Sequence, residues 1–202
     1  MYPPKPGNDP PLLSAELAGY VAAYQRSGDL GRLLDELRAF AERTDAVFLA
    51  AAAKPFQGMP EVVIPLYERI TAERSGDAQA MVILANAYWL AGRGPDAVSR
   101  LASKAKEIDP SNRGAWHLWA LAESSVRKRV ERWLEVTKHF PGDQLARAAL
   151  ADNATSLATD EDDPVALRLA IETYESLLAE SPPPPTAQRL ALEETLKALR
   201  RG

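Results

Sequence analysis

Apolar residues along this chain recur at spacings of three and four, the period of a helix with one buried face. Leu17, Val21 and Tyr24 form one such stripe, and Leu33, Leu37 and Phe40 form another. Alternation with a period of two, the mark of half-buried strands, is nearly absent. Val62-Val63-Ile64 is β-branched but short and flanked by prolines, and no Asn-Gly or Asp-Gly pair joins two alternating runs. The pattern predicts an all-α chain.

Prolines punctuate it, because proline cannot sit freely inside a helix. Pro3, Pro4, Pro6, Pro10 and Pro11 mark residues 1–11 as a flexible leader. Pro182 to Pro185 form a stiff extended break near the C-terminus. Pro55, Pro60, Pro65, Pro95, Pro110, Pro141 and Pro164 fall between or near helical stretches, which implies many short helices. Pro65 leaves two readings open. Either a helix runs from Pro60 and kinks at Pro65, the reading favoured here, or the helix starts at Pro65 after a loop from Gly58 to Ile64.

The clearest internal organisation lies at residues 78–112. Met81, Leu84, Ala85 and Tyr88 lie on one helix, Gly92 follows in a turn, and Ala97 and Ala105 lie on a second helix that Asp109-Pro110 ends. Small Ala85 lets a partner helix approach closely, Gly92 supplies a turn residue with positive φ, and Pro95 suits a first helical turn. This stretch resembles the tetratricopeptide repeat (TPR), a helix–turn–helix unit of about 34 residues. Gly58, Ala50-Ala51 and Tyr67 repeat the pattern upstream, and Gly28 follows Tyr24 as Gly92 follows Tyr88. Downstream, Trp116-x-x-Trp119-Ala120 reads as the next first helix, with Arg129 to His139 as its partner. A last pair follows: Gln144 to Leu157, then a second helix with Ala170, Tyr174 and Leu177.

The resemblance implies an all-α, right-handed α-solenoid of about five TPR-like helix pairs over residues 12–182. Residues 183–202 would hold the proline break and a capping helix, with Thr186 as N-cap and Arg200 and Arg201 near its end. Eleven helices are expected.

Composition narrows the chemistry. There are no cysteines, which excludes disulfides, thiolate metal sites and cysteine nucleophiles. A net charge of −4 argues against a general nucleic-acid binder. No apolar run approaches the roughly 20 residues of a membrane span, and the first residues lack a signal-peptide pattern. A cytoplasmic protein is expected. His117 and His139 are the only histidines. They lie too far apart on the repeat template to share a site, and His139 reads as a favourable cation at a helix C-terminus. Asp160 to Asp163 lack the glycine and spacing of a calcium loop and read as a loop capping the helix after Pro164. Glu123, Glu131 and Glu135 lie within helical reach of the basic Arg127, Lys128, Arg129 and Arg132, giving a mixed-charge face. No cofactor, metal site or enzymatic activity is expected.

Four tryptophans, Trp89, Trp116, Trp119 and Trp133, lie close together in sequence. Trp119 and Trp133 are expected in packing between repeats, whereas Trp89 is turned away from the Met81–Leu84–Tyr88 seam. In TPR proteins the first helices line a concave groove that commonly receives an extended peptide or a helix. Carried onto this chain, the resemblance implies a groove of Phe48, Gln79, Val82, Asn86, Trp89, His117 and Asp152. Asn86 matches an asparagine of the family's carboxylate-binding members, but Val82 stands where they carry a lysine, so that clamp is not supported. The reading is a non-catalytic scaffold binding a protein or peptide partner of helical or hydrophobic character. Two alternatives remain: a self-assembling homodimer, and an accessory TPR factor of an envelope or cytochrome maturation assembly, cut from a longer protein.

Overall fold

A computed structural model describes residues 9–180 and 185–201. Eleven α-helices occur among them: α1 (Pro10–Ser27), α2 (Leu30–Arg43), α3 (Ala46–Ala53), α4 (Pro60–Glu73), α5 (Ala78–Leu90), α6 (Pro95–Ile108), α7 (Arg113–Leu121), α8 (Val126–His139), α9 (Gln144–Glu161), α10 (Pro164–Leu178) and α11 (Thr186–Leu199). One 3-10 turn, Lys54–Phe56, follows α3. No strand occurs among the described residues. The chain divides into two compact units, Met1–Leu118 and Trp119–Gly202.

In the first unit α1 packs on α2 and α3, both of these pack on α4, α4 packs on α5, and α5 on α6. The apolar stripes read from the sequence are what they bury. Leu13, Leu17 and Val21 of α1 meet Leu33, Leu37 and Phe40 of α2 in one core with Leu49, Val62, Val63, Leu66 and Ile70. In the second unit α8 packs on α9, α9 on α10 and α10 on α11. Ala154, Leu157, Ala170, Tyr174 and Leu177 are among its buried residues.

Aspartates set four of the helix starts. Asp29 accepts a hydrogen bond from the Arg32 amide at 3.0 Å, and Asp77 from that of Ala80 at 2.9 Å. Asp143 accepts from Ala146 at 3.1 Å, and Asp163 from Val165 and Ala166 at 2.9 and 3.1 Å. Each satisfies an amide that the first helical turn leaves without a partner, worth about 1 kcal/mol.

Helix α4 begins at Pro60 and carries Pro65 inside it. A proline there removes one ladder hydrogen bond. Val62, Val63, Ile64, Leu66, Tyr67 and Ile70 are all buried, and that packing holds the helix through the gap.

Several boundaries differ from the sequence reading. The pattern predicts a leader through residue 11, but Pro10 and Pro11 open α1, where a fixed φ and a missing N–H cost nothing. Residues 1–8 and 181–184, which include most of the leader and Pro182–Pro184, lie outside the described residues. Helix α8 starts at Val126 rather than Arg129, capped by Ser125. Helix α9 runs past Leu157 to Glu161, so Asp160 and Glu161 are helical, not loop. Asp162 ends the helix at φ 52°, a left-handed conformation that aspartate tolerates better than most side chains. Thr186 is the first residue of α11, not its cap; Pro185 holds that position with an extended backbone.

Candidate partner-binding surface

Helix α5 turns Met81, Leu84 and Ala85 into the core, which leaves the opposite face outward. Gln79, Val82, Asn86 and Trp89 follow one another along that face at helical spacing. The two halves of the stripe differ. At its start, the Asn112 side-chain amide donates to Gln79 Oε1 at 3.2 Å. Gly114 comes so close that a Cβ there would stand 3.1 Å from Val82 Cγ1. The beginning of α7 therefore touches this half and leaves Val82 half-buried, while Gln79 stays exposed.

Towards the end of α5 the stripe is open. Asn86 is exposed, Trp89 is 41 % exposed and the neighbouring Leu90 57 %. A large aromatic ring with that much surface in water is an available anchor for a partner.

The other positions lie on other helices. Phe48 on α3 is half-buried against the core of the first unit, and Val47 beside it is the exposed residue. His117, on α7, is half-buried. Asp152 belongs to the second unit, where it is exposed and accepts a hydrogen bond from the Tyr174 hydroxyl at 2.7 Å. Sequence reasoning does not pick out Val47 and Leu90. Their place next to inward-facing Phe48 and outward-facing Trp89 is the only signal that could have found them.

The remaining tryptophans are structural. Trp116 is buried, donates from Nε1 to the Pro110 carbonyl at 2.8 Å, and lies under Lys106 Nζ, 4.2 Å from the ring centre. Trp133 is buried and Trp119 half-buried. The Arg132 guanidinium stacks 4.7 Å from the Trp119 ring, donates to the Trp119 carbonyl at 2.6 Å, and pairs with Glu123 at 2.7 Å.

The basic run is met by carboxylates, partly from an unexpected source. Arg127 pairs with Glu161 at 2.6 Å and Asp163 at 2.9 Å, across the α9–α10 junction. The Ala166 amide, then Arg127, hold the Asp163 carboxyl below its ordinary range. His139 closes α8 with its ring edge-on to Phe140 at 4.7 Å. Among the described residues no group of three or more His, Asp and Glu is placed to hold a metal ion. None of the described helices is long and apolar enough to cross a membrane.

No family model matches the chain, and no curated protein does. Solved structures do. A crystal structure of MamA aligns with a TM-score of 0.56 at 15% identity, over 81% of this chain and 92% of that one. A second MamA structure gives 0.55 at 16%, over 76% and 94%. A thermophilic TPR protein of Thermus thermophilus gives 0.54 at 16%, over 94% of this chain and all of that one. The shared property is the fold, an all-α solenoid of TPR type.

Proposed function

We propose that this chain is a non-catalytic scaffold that receives a segment of a partner protein on its first-helix surface, anchored at the open end of α5. The observation that carries the reading is Trp89, 41 % exposed on the same face as exposed Asn86. A large aromatic supplies contact area at low entropic cost, and an adjacent amide can both donate to and accept from a peptide backbone. The TPR-like fold supports the same use, since its first helices commonly receive a peptide or a helix. A protein partner suits the net charge of −4 better than a nucleic acid does. This reading places the scaffold in the cytoplasm.

The test starts with affinity capture from the native host by the wild-type chain, followed by titration of the captured partner. Trp89→Ala should weaken binding by about 30-fold, the scale of a central aromatic anchor, with a smaller loss for Asn86→Ala. A partner that binds both variants as well as the wild type would sink the assignment.

A further inference from the structure

Helices α4, α5 and α6 enclose a second feature, a half-open cleft of about 450 Å³. Met81, Leu84 and Leu101 supply its apolar floor. Trp89 and Asn86 are not part of its lining, so it is separate from the surface described above.

Its polar rim is unevenly satisfied. The Tyr88 hydroxyl donates to Glu68 Oε1 at 2.7 Å, so the rim's carboxylate already has a partner. Arg93 lies over the Tyr88 ring at 5.6 Å. Arg100 and Lys104 stand one turn apart on α6 and both line the cleft. Neither makes an ion pair or a side-chain hydrogen bond with a described residue, although the chain is acidic overall. Like charges four residues apart on a helix repel, so the fold gains nothing from this pair alone. A carboxylate placed between them would remove that repulsion and complement the rim.

We propose that this cleft is a second docking site, taking a protein segment that inserts one large apolar side chain and sets one or two carboxylates against Arg100 and Lys104. The floor selects for the apolar group and the two cations select for its flanks. A free small anion would use the cations and leave the floor empty. A nucleic-acid backbone would meet Glu68 at the rim.

The 202-residue chain can be probed with an array of immobilised peptides about 15 residues long, or four helical turns. Each carries a central Leu, Phe or Trp flanked by Glu, Gln or Lys at helical spacing. Binding should rise with the number of glutamates and be absent for the lysine series. Fluorescence anisotropy on the best peptide should show about a tenfold loss for Arg100→Glu/Lys104→Glu and a smaller one for Arg100→Gln/Lys104→Gln. Trp89→Ala should leave this binding unchanged, which separates the cleft from the α5 face. Circular dichroism of each variant checks that it has folded. The proposal is overturned if no peptide binds, if Gln and Glu peptides bind alike, if the charge reversal has no effect, or if sulfate alone competes as well as the peptide.

Discussion

Tyr174 on α10 donates its hydroxyl hydrogen to Oδ1 of Asp152 on α9 across 2.7 Å, while the tyrosine as a whole is 4 % exposed. Burial, then the bond to Asp152, pushes the phenol from its ordinary 10.0 up to about 12. Tyr88 is pushed equally far, by burial and then by Glu68. A phenol whose pKa is higher folded than unfolded favours the fold while it is neutral. That contribution is whole below pH 10 and is lost as the pH rises from about 10 to about 12. Denaturation followed across this window should show stability falling in the wild type and falling less in Tyr88→Phe and Tyr174→Phe. An ultraviolet titration of the phenolate band should lose its latest-titrating component in the same variants.

Gly92 and Gly94 both have positive φ, at 66° and 89°, with no atom near a would-be Cβ. Space is therefore not the issue at either position; the backbone is. Gly94 also has ψ 154°, in a region essentially confined to glycine. Gly92→Ala should cost roughly 1 kcal/mol, and Gly94→Ala more, up to about 3 kcal/mol. Urea denaturation of the two variants decides the order.

Gly114 and Val82 form a different kind of pair, because here the neighbour is close. Alanine at 114 gains up to about 1 kcal/mol of helix propensity, but its methyl would meet Val82 Cγ1 at 3.1 Å. Valine is stiff at χ1 and cannot swing aside freely. Gly114→Ala should be destabilising alone and less so with Val82→Ala, a coupling of at least about 0.5 kcal/mol in a double-mutant cycle.

Arg132 uses its planar head three ways at once: on the Trp119 ring, on the Trp119 carbonyl and on Glu123. Lysine keeps the charge but has neither the fork nor the flat face. Arg132→Lys should therefore lose most of what Arg132→Ala loses, about 1–3 kcal/mol, rather than rescue it. Thermal melts of the two variants give the comparison.

The fold was largely readable because helix period and proline placement are local properties. Leu17-Val21, Leu33-Leu37-Phe40 and Leu84-Ala85 are buried as their spacing implies, and α4 starts at Pro60. What was missed depends on which residue can stop a helix. Nothing in Ala158-Thr159-Asp160-Glu161 breaks α9, and Asp162 takes the left-handed turn usually given to glycine. The proposed binding face was harder to read. Gln79 and Val82 look identical in pattern to Asn86 and Trp89, yet the start of α7 bonds to Gln79 and half-buries Val82. A glycine makes the close approach to Val82, and a glycine leaves no hydrophobic mark in a sequence. The cleft beside Arg100 and Lys104 has no mark in the sequence, because three helices must come together to form it.

The four capping aspartates, Asp29, Asp77, Asp143 and Asp163, match in number the chain's whole formal charge of −4. Colloidal behaviour and local architecture are thus tied to the same side chains. Asparagine or serine would cap these helices about as well. A chain carrying them would keep its helix starts but approach electrical neutrality, where mutual repulsion between dissolved copies fades and precipitation sets in.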